Sequence, residues 1–141
     1  MINVLKDVAK KYYLNGYNCA EAMLYAGDEY YQLGLDKSIF KVMAGFGGGV
    51  NTEDLCGVVS GSVALLGVLF VEKNAYGSEH IKELTKEFIE AFKKTKGSMN
   101  CKELKDQYRD EKEKCSCVVE SGAAVLEEII KGFQKTKETT M

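Results

Sequence analysis

The chain writes Asn-Cys-x-Glu twice, as NCAE at 18–21 and NCKE at 100–103, and these frames hold two of its five cysteines. Asn is among the strongest helix N-caps. A Glu three residues on completes a reciprocal pattern, in which each side chain takes up a free backbone N–H of the other residue. The frames therefore predict helices that start at Cys19 and Cys101, capped by Asn18 and Asn100 and closed by Glu21 and Glu103. A thiol in that position sits among unpaired N–H groups at the positive end of the helix dipole. Such placement lowers a thiol pKa and raises the population of thiolate, the species that attacks disulfides or binds metal, with the nearby Glu in partial opposition.

A third cysteine reaches a helix start by another route. NTEDLC (51–56) offers Asn51, Thr52 and Asp54 as caps, with Cys56 in the first turn that follows. Cys19, Cys101 and Cys115 fall in phase with the apolar stripes of their helices and so point inward, whereas Cys117 is out of phase. No C-x-x-C occurs, and CSC at 115–117 is only a C-x-C, so no zinc knuckle is spelled out. GFGGGV (45–50) lacks the third glycine of a dinucleotide fingerprint and the GK[ST] of a phosphate loop. It reads either as a tight inter-helix turn or as a nest of N–H groups facing an anion or a cluster sulfide. On the second reading Gly47, Gly48 and Gly49, with Gly57 beyond the cysteine, are the candidate cofactor-binding backbone. His80, the sole histidine, has no cysteine close in sequence and reads as a surface or capping residue.

The elements that must position these thiols are helices. There is no proline, and apolar residues recur at helical rather than alternating spacing. Leu5, Val8 and Tyr12 mark a first helix that stops near Asn15-Gly16; Cys19, Met23, Ala26, Tyr30 and Leu33 mark a second, ended by Gly34. A short segment carries Ile39, Phe40 and Met43. LCGVVSGSVALLGVLFV (55–71) forms an apolar helix, with Gly57, Ser60, Gly61 and Ala64 small enough to let neighbours approach closely. Ile81, Leu84, Phe88 and Phe92 stripe another helix, with Ser78 as its N-cap; Cys101, Leu104 and Tyr108 mark a short one. Cys115, Val119, Gly122, Leu126, Ile129 and Phe133 stripe the last, and the polar tail QKTKETTM (134–141) is expected to fray. The expectation is an all-α, single-domain bundle (1–141) around the Gly-rich apolar helix at about 55–71.

Composition narrows the function. A formal net charge of −2 leaves no basic surplus to neutralise a nucleic-acid backbone. The uncharged run at 55–71 is at the short edge of a membrane span and holds three glycines, two serines and a cysteine, so a buried helix is expected rather than a membrane anchor. MINVLKDVAKKYY has charges within its first apolar run and no small-residue cleavage site, which argues against a signal peptide. A cytoplasmic protein with reduced thiols is expected. Five cysteines there point to redox chemistry or metal binding rather than a disulfide framework.

NCAEAML (18–24), AGFGGGVNTEDLCGVVSG (44–61), GSMNCKEL (97–104) and a C-terminal cysteine before AAVLEEII (123–130) together resemble the C_GCAxxG_C_C family of redox-active proteins. The likeness runs over roughly residues 10 to 130. A related domain occurs in split-Soret cytochromes. No C-x-x-C-H is present, so haem is not implied here. The resemblance implies that Cys19, Cys56, Cys101 and one of Cys115 or Cys117 are the functional cysteines; helical phase favours Cys115. Cys-Gly-Ala-x-x-Gly is here Cys56-Gly57-Val58-Val59-Ser60-Gly61, with Val58 in place of the alanine.

Two mechanisms fit. In one, Cys19, Cys56, Cys101 and Cys115 ligate an iron–sulfur cluster or another soft metal for electron transfer. In the other, a Cys56 thiolate attacks the disulfide of a redox partner protein, or a small oxidant, and is resolved by Cys19 or Cys101. Ligation uses all four sulfurs, whereas exchange needs two. The competing class is a helical interaction module, with a homodimer the commonest assembly, in which the cysteines merely pack. No general-base constellation accompanies the lone histidine.

Overall fold

A computed structural model describes residues 4–139, with side chains described to 136. The described residues form seven helices and no strands: α1 Leu5–Leu14, α2 Cys19–Tyr31, α3 Lys37–Val42, α4 Gly57–Phe70, α5 Glu79–Lys96, α6 Cys101–Tyr108 and α7 Ser116–Thr139. The all-α bundle expected from the 3.6-residue period is what the chain adopts.

The amphipathic helices bury one stripe each. Leu5, Val8 and Ala9 of α1, Leu84, Phe88 and Phe92 of α5, and Val118, Val119, Leu126 and Ile130 of α7 enter one core. That core closes around α4, the apolar helix, which packs against α2, α5 and α7. Two glycines set the closest approaches. A Cβ on Gly61 would lie 2.5 Å from the Ala20 carbonyl oxygen in α2, and one on Gly122 would collide with Val58, so both crossings depend on the missing methyl. Among the described residues no helix is long and apolar enough to cross a membrane.

Several boundaries move from their expected places. The apolar helix runs from 57 to 70 rather than 55 to 71, because Leu55 pairs with Asn100 in an isolated antiparallel bridge. α2 ends at Tyr31, with Gln32 left-handed (φ 53°), two residues before Gly34. Ser78 stands at the N-cap of α5, but its hydroxyl bonds the Phe70 carbonyl at 3.4 Å and not the helix end. The polar tail does not fray at 134. Gln, Lys and Glu are good helix formers, and extending an anchored helix carries no nucleation cost, so α7 continues to Thr139. Residues 140 and 141 of that tail, and residues 1–3 at the N-terminus, lie outside the described part.

Candidate functional site: four cysteines on one cavity

The first Asn-Cys-x-Glu frame forms a complete capping box. Asn18 Oδ1 accepts from the Glu21 N–H at 2.8 Å, and the Asn18 N–H donates to Glu21 Oε1 at 3.0 Å. The second forms half of one. Asn100 Oδ1 accepts from the Glu103 N–H at 3.1 Å, but the Asn100 N–H donates to Ser98 Oγ at 2.9 Å, which leaves Glu103 outside the box. Cys19 and Cys101 are nevertheless the first residues of α2 and α6, as the frames require.

Cys56 is brought to Cys101 by backbone pairing. Its N–H donates to the Met99 carbonyl at 2.9 Å, and the Cys101 N–H donates to the Asp54 carbonyl, on either side of the Leu55–Asn100 bridge. Asn51, Thr52 and Asp54 are not its caps: Cys56 itself occupies the N-cap of α4, with no side-chain hydrogen bond to the helix end. Asn51 and Thr52 instead bond Gly45 and Gly49 carbonyls within the preceding loop, at 3.3 and 3.1 Å.

That loop contains an unusual conformation. After a 3₁₀ turn at Ala44–Phe46, four consecutive residues are left-handed: Gly48 (φ 61°), Gly49 (63°), Val50 (60°) and Asn51 (58°). The turn closes with the Asp54 N–H on the Gly49 carbonyl at 3.0 Å. It is latched to α2, because Asn18 Nδ2 donates to the Ala44 carbonyl at 2.9 Å. The four candidate glycines have different surroundings. Gly48 lines the cavity described below, and its backbone N–H acts to lower the Cys19 thiol pKa. Gly47, Gly49 and Gly57 are close-approach glycines: a Cβ would strike the Asn18 side chain, the Asp54 backbone with Cys101 Cβ, and the Cys19 sulfur, respectively.

Cys19, Cys56, Cys101 and Cys115 all line one cavity of about 450 Å³. Cys115 immediately precedes α7, and its N–H donates to the Tyr13 hydroxyl at 3.1 Å. Cys117 does not line the cavity; its thiol is directed at the Tyr108 carbonyl, 3.8 Å away. His80 is also outside the cavity, exposed on α5 with its ring 5.1 Å from that of Phe133. The wall includes cations that motif reading passed over: Lys105, Arg109, Lys112 and Lys114. Arg109 Nη1 donates to the Cys115 sulfur at 3.8 Å, and Lys105 lies 3.6 Å from Glu53. For Arg109, Lys112 and Lys114 the signal in sequence was the charged run RDEKEK (109–114) between the second cysteine frame and CSC.

The thiols are not activated in the way the helix starts suggest. Burial pushes the Cys56 thiol from 9.0 up to about 12, with Cys19 and Cys101 adding in the same direction and the Val58 and Val59 N–H groups opposing. Cys19 is raised by burial against the Gly48 N–H, and Cys101 by burial against the Lys105 charge. Nearby N–H groups do act to lower Cys19 and Cys56, and Lys105 to lower Cys101, but desolvation of the charged form outweighs them. Among the described residues, no three Cys, His, Asp or Glu side chains converge as a single metal ion would require. The four cysteines share the wall of one cavity without forming such a group.

Residues 17–129 match the family model described as "Putative redox-active protein (C_GCAxxG_C_C)". No curated protein and no solved structure matches the chain.

Proposed function

The chain belongs to the C_GCAxxG_C_C family of putative redox-active proteins, and from that premise we propose that Cys19, Cys56, Cys101 and Cys115 act as one redox site ligating an iron–sulfur cluster or another soft-metal group. One observation carries the reading: four cysteines, each at or next to the start of a different helix, line a single cavity. Helix N-termini favour negative charge, and a tetracysteinate centre is anionic. Thiolate is the preferred ligand of soft metals, and coordination deprotonates a thiol outright, so the raised thiol pKa values are no obstacle to ligation. When bound, such a group supplies one-electron transfer at a potential set by burial and by hydrogen bonds to its sulfurs. The Gly48 N–H is the backbone donor suited to that role.

Dithiol exchange through Cys56, resolved by Cys19 or Cys101, draws less support. A thiol with a pKa of about 12 is almost wholly protonated at neutral pH and therefore a poor nucleophile. On either mechanism the counterpart is a redox protein or a small oxidant, and the proposed setting is a reducing cytoplasm.

The test is iron and acid-labile sulfide content, with a visible spectrum, on protein purified without oxygen, for the wild type and five single Cys→Ser variants. A shared site predicts that C19S, C56S, C101S and C115S each lose the same chromophore while C117S keeps it. Protein that is colourless, cannot be reconstituted and is inert to thiol reagents while folded would leave the helical interaction module as the better account.

A further inference from the structure

The run RDEKEK (109–114) is balanced, with three cations and three acids, yet the fold sorts it. Arg109, Lys112 and Lys114 line the cavity, while Asp110 and Glu111 do not. The sorting comes from a closed turn. The Asp110 N–H donates to the Lys114 carbonyl at 3.1 Å, and Asp110 Oδ1 accepts from the Glu113 N–H at 2.6 Å. Lys114 completes the turn with a left-handed backbone (φ 55°).

The one acid on this wall, Glu113, is already engaged: it accepts from Ser116 Oγ at 3.0 Å and pairs with Lys10 at 3.4 Å. Among the described residues, the ammonium groups of Lys112 and Lys114 pair with no carboxylate. Arg109, Lys112 and Lys114, none of them in an ion pair among the described residues, therefore stand exposed on the wall of a cavity that also carries the cysteines, although Asp110 and Glu111 border Arg109 and Lys114 on the side away from it.

We propose that the mouth of this cavity binds a small anion carrying two or more carboxylate or other oxyanion charges, held by Arg109, Lys112 and Lys114 in front of the cysteines. The guanidinium supplies paired donors in a plane and the two ammoniums supply point charge, a combination suited to oxyanions. The cations border a concavity of about 450 Å³, within the small-molecule range of roughly 300–1,000 Å³. An acidic protein would instead call for cations spread over an open face. The inference deepens the proposed function by giving the charge of the reactant. It rests on that reading for what the anion does, but not for where it binds.

The test is calorimetric titration of the full chain, purified without oxygen, with malonate at low ionic strength. Uncharged malonamide serves as the control. Saturable one-to-one malonate binding is expected, with none for malonamide. The R109Q/K112Q/K114Q variant should bind about tenfold or more weakly, since charge-assisted hydrogen bonds are lost. The R109K/K112R/K114R variant should retain binding, which separates charge from folding. Absence of saturable binding, or equal binding by the charge-neutral variant, overturns the proposal. Binding of an acidic peptide without malonate binding overturns it in favour of a protein-docking face. C19S and C115S distinguish the two levels: loss of the metal chromophore with malonate binding retained supports both, whereas malonate binding with no chromophore in any form defeats the cluster reading alone.

Discussion

Removing the Cys56 thiol should change how stability depends on alkaline pH. Cys56 is 5% exposed, and its pKa rises from 9.0 to about 12, mainly through burial. The folded-state value is the higher one. Below pH 9 the thiol is protonated in both states and favours neither. Above pH 9 the unfolded chain releases the proton while the folded chain holds it to about 12, so stability is lost across that window. The loss is about 1.4 kcal/mol per pH unit, or roughly 4 kcal/mol over the whole interval. That is a large share of the roughly 5–15 kcal/mol holding a domain of this size together.

Urea unfolding of metal-free, reduced protein at several pH values between 8 and 11.5 would measure the effect. C56A serves as the reference, because tyrosines and lysines titrate in the same range and cancel in the difference. At pH 8 the wild type should be the more stable, since the variant leaves a small cavity. The gap should close and then reverse as pH rises. Parallel curves would refute the burial argument. Alkylation of Cys56 in the folded protein near pH 7, read by mass spectrometry, should be at least tens of times slower than for an ordinary thiol, because the smaller thiolate fraction is only partly offset by the greater nucleophilicity of a more basic thiolate. A rate close to the ordinary one would return Cys56 to the role of nucleophile.

Three further substitutions probe the frame around the site. Gly57→Ala places a methyl group against the Cys19 sulfur and should cost about 1–3 kcal/mol in thermal or chemical unfolding, with a fall in iron content on the ligation reading. Val50→Gly should stabilise. Relief of a β-branched residue at φ 60° is worth about 1–3 kcal/mol, against roughly 0.5–1 for the added freedom of the unfolded chain, so a net gain of about 1 kcal/mol is expected in a melting curve. Asn18→Ala should cost about 1–2 kcal/mol and Asn100→Ala about 1, by denaturant midpoint. Both lose a cap, but Asn18 also tethers the glycine loop through Ala44.

What the sequence could disclose depended on the range of the interaction concerned. Helical periods and the Asn18 capping box involve residues within a few positions of one another, and these were legible. Helical phase favoured Cys115 over Cys117 but left the choice open; Cys115 lines the cavity from just before α7, where helical phase does not apply, and both thiols are half-buried against the core. The left-handed run at 48–51 was not legible. It is held by the Asn18–Ala44 hydrogen bond and leads into the Leu55–Asn100 bridge, contacts that reach 26 and 45 residues along the chain. Val50, a β-branched residue, would not be assigned that backbone on local preference alone. The direction of the thiol shifts was misjudged for the same reason: the N–H groups near each cysteine are local, but desolvation belongs to the packed core. The cation wall was hidden because RDEKEK has no net charge until a turn divides it.

The forces at the site pull in opposite directions, and that opposition bears on the mechanism. Burial works against negative charge on each of Cys19, Cys56 and Cys101. Helix N-termini, the Gly48 N–H, Lys105 and Arg109 all work in its favour. For a single free thiolate the first effect wins, which makes a lone nucleophile at Cys56 costly. A group ligated by all four sulfurs changes the balance. On the proposed ligation the metal would supply positive charge inside the cavity and offset much of the desolvation cost, leaving the donors around the wall a smaller net negative charge to stabilise. The arrangement that suppresses a thiol nucleophile therefore favours the proposed ligation over dithiol exchange. Among the described residues the outer cations Lys112 and Lys114 pair with no carboxylate, as the proposed anion site requires.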